Sequence, residues 1–189
     1  VVAVVLAAGG GSRFENATHK LRAHCGATTV VQRSVTSAVD AAIGPVVVVV
    51  GAVDLSDLLQ GGTNDQAVEL VENPNWRDGQ ATSLQVGIER ADALGADAVV
   101  VGLADQPGVP AEAWRLVAAS GIAPIVAADF AGRRRPPVRL ARAVWPLLAT
   151  TGDDGARELM RRRADLVGEV ACPGDPADVD TVEDLRRWI

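Results

Sequence analysis

The chain has 189 residues, 48% of them apolar, and a formal net charge of −6 at pH 7. That size suits one domain with a full core, and the acidic balance argues against general nucleic-acid binding, so an anionic ligand must meet a local cationic cluster. Two cysteines, Cys25 and Cys172, lie far apart and only two histidines accompany them, which leaves almost no scope for a zinc site and reads as reduced thiols of a cytoplasmic protein.

No secretory signal is expected, since Val1 already opens a strand-like run. The longest apolar stretch, residues 41–53, is interrupted by Gly44, Pro45 and Gly51 and is too short to cross a bilayer, so no membrane partner is expected.

Residues 1–6 form an unbroken apolar run, the mark of a strand buried on both faces. Helical spacing of Val31, Val35, Ala38, Val39 and Ala42 predicts a helix over 28–42. Five consecutive valines predict a buried strand over 45–51, because β-branched residues favour that state. A short helix is expected over 54–60 behind Asp54 as N-cap, then a strand over 67–72, a helix over 80–94 and a third buried strand over 96–103. Pro110 opens a helix expected over 110–120, followed by a strand over 123–128.

The last third is less regular. Residues 132–137 read as a basic, proline-containing loop and 140–148 as a helix limited by Pro146. A helix over 154–163, a strand over 167–172 and a terminal helix over 181–188, capped by Asp180 or Thr181, complete the pattern. Alternation of β and α along the chain implies a single-domain α/β architecture. It would be a doubly wound, mainly parallel sheet of Rossmann-like type with helices on both faces. Ligands should then gather beyond the carboxyl ends of the strands.

The first strand empties into Leu6-Ala7-Ala8-Gly9-Gly10-Gly11-Ser12-Arg13, and Lys20, the single lysine, follows. Such a turn suits a polyphosphate: amides unshielded by side chains face the oxygens, and the two cations neutralise charge. Neither the dinucleotide fingerprint nor the P-loop fits these residues. Asp105 directly follows the strand at 96–103, which puts a carboxylate at the active edge; phosphoryl chemistry needs a divalent cation, and Mg²⁺ takes one or two protein carboxylates. A turn aspartate capping nearby amides is the plainer reading of Asp105. Asp180, taken by itself, reads as a helix N-cap. Ser83 either offers its hydroxyl to a base or ribose or serves the start of its helix. Trp76 reads as a partly buried lid over the loop, and the cluster Arg133, Arg134, Arg135 as solvated charge or an anion contact.

These residues resemble the nucleotidyltransferases of the molybdenum cofactor type. The first turn resembles the family's phosphate loop, although Phe14 replaces a methionine, Glu15 a glycine, and Lys20 stands two positions later than usual. Asn73-Pro74-Asn75-Trp76 with Gly79 and Ser83, Ala104-Asp105-Gln106-Pro107, Pro136-Pro137-Val138, Gly152-Asp153-Asp154-Gly155-Ala156-Arg157 and Asp178-Val179-Asp180-Thr181 resemble further blocks in the family's order. The likeness implies a Mg²⁺-dependent cytidylyltransferase that joins CMP from CTP to the phosphate of the molybdenum pterin cofactor. It implies Arg13, Lys20 and Asp105 as catalytic groups, and Leu6, Ala7, Ala8, Gly9, Gly10, Gly11, Ser12, Arg13, Lys20 and Ser83 around the nucleotide. Pro137, Asp153, Gly155 and Arg157 would border the acceptor. Asp105 and Asp180 would hold the metal, with Asp178 the weaker candidate. A molybdenum hydroxylase apoenzyme is an expected partner. Transfer to a sugar, polyol or phospholactate phosphate, or a non-catalytic cofactor carrier, are the alternatives.

Overall fold

The computed structural model describes residues 1–14, 18–59 and 68–188. A seven-stranded sheet runs in the order β5-β4-β1-β6-β8-β7-β9. Its strands are β1 (Val2–Ala7), β4 (Val46–Val50), β5 (Val68–Glu72), β6 (Ala98–Leu103), β7 (Ile125–Asp129), β8 (Arg134–Ala141) and β9 (Val167–Ala171). A separate two-residue pair, β2 (His24–Cys25) and β3 (Thr28–Thr29), leads into the first helix. Every ladder of the large sheet is parallel except the two that β8 makes with β6 and β7.

Successive side chains of a strand point to opposite faces, and β1 shows what that builds. Ala3, Val5 and Ala7 face one core, where α1 (Val30–Asp40), α4 (Ala111–Ala119) and α6 (Val182–Arg186) pack through Val35, Trp114 and Leu185. Val2, Val4 and Leu6 face the other core, against α3 (Gln80–Ala93) and α5 (Arg157–Arg162) through Leu84, Ile88 and Leu159. Burial of each such side chain contributes roughly 1.5–3 kcal/mol. The expected doubly wound α/β sheet is therefore present, with helices on both faces.

Element ends differ from expectation where backbone chemistry intervenes. Helix α1 begins at Val30, because Thr29 caps it: the Thr29 hydroxyl accepts from the Gln32 amide and the Gln32 side chain accepts from the Thr29 amide. The short helix α2 (Ser56–Leu59) has Asp54 accepting from the Ser56 amide, as expected for its start. Gln60 and Ala67, expected at the ends of that helix and the next strand, lie outside the described residues. Helix α5 begins three residues later than expected, since Gly155 has φ of +50° and cannot continue a right-handed helix.

The basic loop expected over 132–137 and the helix expected over 140–148 are both corrected. Residues 134–141 are β8, the strand wedged between β6 and β7, and 142–147 form a short 3-10 helix that accommodates Pro146. Prolines argued against a strand because they cannot donate to a ladder. The ladder absorbs them: its register shifts between Ala127 and Ala128, which pair with Val138 and Arg135, so Pro136 and Pro137 fall in the irregularity.

Candidate functional site

At the carboxyl end of β1 the chain turns through Gly9, Gly10 and Gly11. Gly11 has φ of +61°, a region that glycine enters at little cost, and the Phe14 amide closes the turn on the Gly11 carbonyl at 3.0 Å. Phe14 is buried and anchors the far side. His19 clasps the turn from below. Its Nδ1 accepts from the Leu21 amide at 3.3 Å, so Nε2 carries the hydrogen and donates to the Gly9 carbonyl at 3.1 Å. Burial holds its pKa below the ordinary value, a shift that the cations Lys20 and Arg22 reinforce. Trp76 leans on the turn from the other side: a β-carbon on Gly10 would stand 3.0 Å from its ring, and Arg77 stacks on the indole at 4.4 Å.

Opposite the turn stand two aspartates that 75 residues of chain separate. The strand β6 delivers Asp105. Asp180 arrives on a strap, residues 175–180, that runs back along the end of β6. The Asp175 amide donates to Gly108 at 3.0 Å and the Val179 amide to the Asp105 carbonyl at 2.8 Å. Gln106 reinforces it by donating Nε2 to the Pro176 carbonyl at 3.1 Å and to Asp178 Oδ1 at 2.8 Å. Thr181 and Asp184 form a capping box that starts α6 just beyond. The helix cap is thus supplied by Thr181, which leaves the Asp180 carboxylate to face the cleft.

Lys20 joins the two acids. Its Nζ donates to Asp105 Oδ2 at 2.6 Å and to Asp180 Oδ1 at 2.8 Å, and the side chain is only 11% exposed. Burial by itself would lower its pKa, but the Asp105 charge and both hydrogen bonds outweigh burial and raise it, so the ammonium is firmly charged. Arg13 reaches the second oxygen of Asp180 at 3.0 Å from an exposed position. Asp105 Oδ1 is buried without a hydrogen-bond partner among the described residues. An orphaned, buried carboxylate oxygen beside a second acid suits a divalent cation, which takes oxygen ligands of this kind. Asp178, on the exposed side of the strap, has its pKa raised, by partial desolvation first and by the Asp105 charge second.

The floor of the cleft is the start of α3. Asn73, buried at the end of β5, donates Nδ2 to the hydroxyls of Thr82 and Ser83, both at 2.9 Å, and accepts from the Asn75 amide. Ser83 therefore has its oxygen engaged by Asn73, and its hydrogen has no acceptor among the described residues. The resulting cleft encloses about 570 Å³. Leu6, Ala8, the glycine turn, Ser12, Arg13, Lys20, Ser83, Asp105, Asp153 and Asp180 all line it. Ala7 alone of the expected nucleotide group points the other way, into the core.

A second cavity of about 310 Å³ adjoins the first and shares Leu6, Gln80 and Leu103 with it. Its walls are largely apolar, through Leu84, Val138 and Met160, and Arg135, Arg157 and Arg161 edge it. Gly155 and Arg157 line this cavity, whereas Asp153 belongs to the first cleft. Pro137 lies on the opposite face of β8 with Ser34 and Trp114, while its neighbours Pro136 and Val138 line the second cavity. Sequence reasoning missed His19, Gln106 and the clamping role of Asn73. A histidine between two cationic turn residues and a glutamine beside the leading aspartate were the available signals.

Over 110 residues the chain is 31% identical to the purine catabolism protein PucB of Bacillus subtilis, spanning 56% of this chain and about half, 54%, of PucB. Over its full length it is 30% identical to the nicotine blue oxidoreductase of Paenarthrobacter nicotinovorans, of which it spans 96%. The crystal structure of Rv0371c from Mycobacterium tuberculosis superposes with a TM-score of 0.80 at 28% identity, covering 99% of this chain and 96% of that one. Rv0371c has also been crystallised as a complex with manganese. The family model for the MobA-like NTP transferase domain matches residues 3–167, from the first strand to the start of β9, and the chain belongs to that family.

Proposed function

We propose that this protein is a divalent-cation-dependent cytidylyltransferase that moves CMP from CTP to the phosphate of the molybdenum pterin cofactor and releases pyrophosphate. The observation that carries the reading is the opposition of an amide-lined turn to the Asp105–Asp180 pair across one cleft. That cleft opens into an arginine-edged second cavity of the right size for part of an acceptor. The manganese complex of Rv0371c supports use of a divalent cation; Mg²⁺ is the ion proposed here.

In this reading an acceptor phosphate oxygen attacks the α-phosphorus, the bond from that phosphorus to the bridging oxygen breaks, and pyrophosphate leaves. The amides of Gly9, Gly10, Gly11 and Ser12, with Arg13, bind the departing phosphates. Lys20 offsets charge on the α-phosphoryl oxygens, and Ser83 offers its hydroxyl to the ribose or base. Arg157 steadies the acceptor beside Gly155, Pro136 and Val138. Asp105 and Asp180 would hold the cation, which supplies charge neutralisation for both phosphates when bound. Positioning and electrostatics provide most of the acceleration in such transfers, and a phosphate dianion needs no general base.

Thermal protection by CTP, GTP or ATP with Mg²⁺ tests the base preference, and pyrophosphate release with the reduced pterin cofactor tests the reaction. A clear preference for GTP overturns the cytidylyl assignment. A second reading takes its support from the full-length relative named as an oxidoreductase. The same turn would then hold a nicotinamide dinucleotide by its pyrophosphate. Consumption of the reduced dinucleotide with a dye acceptor, and no pyrophosphate from CTP, would decide for it.

A further inference from the structure

We propose that Lys20 is a lock on the cation seat: its ammonium and a divalent cation compete for the same two carboxylates, and the triphosphate releases the lock by drawing Lys20 away. The inference rests on the reading of Asp105 and Asp180 as cation ligands. Three observations carry it. The ammonium sits within hydrogen-bond distance of both acids at once, at 2.6 and 2.8 Å, in a sheltered position. Among the described residues, it and Arg13 together engage three of the four carboxylate oxygens and leave Asp105 Oδ1 without a partner. The side chain rises from the 3-10 turn Lys20–Arg22, which the His19 clasp ties to the glycine turn. Lys20 therefore lies where it can exchange one set of anions for another without unfolding its own segment.

The electrostatics make the exchange one of partners rather than of charge. Two carboxylates this close repel each other and require a cation between them. A monovalent ammonium meets that need in the free protein, and a divalent ion meets it better only if the ammonium finds other anions. The phosphates of a nucleoside triphosphate are such anions, delivered to the same cleft by the glycine turn. Cation and nucleotide binding are then coupled, each strengthening the other by the same factor. A free protein so locked holds a divalent ion only weakly in the absence of substrate.

The test titrates Mn²⁺ alone into the full chain, following loss of the free-ion signal by electron paramagnetic resonance. Lys20→Met is expected to bind Mn²⁺ about tenfold or more tightly than the parent, because the competing occupant is gone. Adding Asp105→Asn to that variant is expected to abolish the gain. CTP is expected to raise Mn²⁺ affinity by a larger factor in the parent than in Lys20→Met. Equal or weaker Mn²⁺ binding by a folded Lys20→Met overturns the lock while leaving the cation reading intact. Absence of Mn²⁺ binding in every protein, CTP included, overturns both.

If repulsion between the freed acids unfolds Lys20→Met, the parent protein provides a second measurement. Lys20 is the single lysine, so its labelling by an amine reagent can be followed by mass spectrometry of the peptide that contains it. Mn²⁺ without nucleotide is expected to speed labelling severalfold as the ammonium is displaced, and CTP with Mn²⁺ to slow it again. Mn²⁺ that binds without changing the labelling rate overturns the proposal.

Discussion

Gly79 and Gly152 meet across the base of the cleft so closely that a β-carbon on Gly79 would lie 2.4 Å from the Gly152 carbonyl. The Ala81 amide donates to that carbonyl at 2.8 Å and the Gly152 amide to Asp78 at 2.9 Å. This contact joins the start of α3 to the segment that carries Asp153, Gly155 and Arg157. Gly79 also has φ of +103°. Gly79→Ala should combine backbone strain with a clash against main chain, costing about 2 kcal/mol or more. Chemical denaturation measures this; a midpoint equal to the parent's would contradict the geometry.

If Asp105 holds a divalent cation as proposed, Asp105→Asn should keep the fold and lose turnover by about a hundredfold or more, since such an ion would stabilise transition-state charge by several kcal/mol. Pyrophosphate release beside a circular dichroism melt checks both halves. Activity within a few-fold of the parent would remove Asp105 from the cation site.

Asn73 ties β5 to α3 through two serine and threonine hydroxyls and one amide. Asn73→Leu fills the same space but leaves the buried Ser83 hydroxyl without its donor, at a cost of roughly 1–3 kcal/mol. Nucleotide affinity should fall as well, because Ser83 loses its orientation. A thermal melt with and without CTP reads both effects.

His19 gives the protein a pH dependence of defined sign. Burial, first, and neighbouring cations hold its folded pKa below the ordinary 6.5. The unfolded chain thus binds more protons just below that pH, and stability present above pH 6.5 is lost as the pH falls through the lowered folded value. Melting temperature measured between about pH 7.5 and about pH 5 should drop more in the parent than in His19→Gln. Identical slopes would show that the clasp does not titrate against the native state.

Arg157→Glu should raise the KM for the acceptor and leave CTP protection intact, because Arg157 borders the second cavity and the first is lined by other residues. Equal losses with both substrates would place Arg157 in a structural role.

The sequence made the framework legible because its signals are local. Runs such as the five valines of β4 and the glycine turn after β1 can be read within a few residues. Asp105 and Asp180 were named from separate blocks, and the structure brings them to one ammonium. What stayed hidden depends on partners remote in sequence. The strand β8 carries two prolines and three arginines over residues 134–139, a composition that reads as loop, and only insertion between β6 and β7 makes it a strand. Gln106 shows its purpose only once the strap of 175–180 lies against it. Nor could the register of alternation at Pro136 and Pro137 be assigned before the ladder irregularity was visible.

The reversed direction of β8 divides the labour of the molecule. Because it runs against its neighbours, its amino end comes to the same edge as the carboxyl ends of β1 and β6. The wall of the first cleft is drawn from residues up to 105 together with Asp153 and Asp180, while most of the second rim comes from one continuous stretch, 134–161. That stretch is a cassette. Transplanting it from another member of the family would exchange one recognition surface while leaving the glycine turn and its facing acids in place.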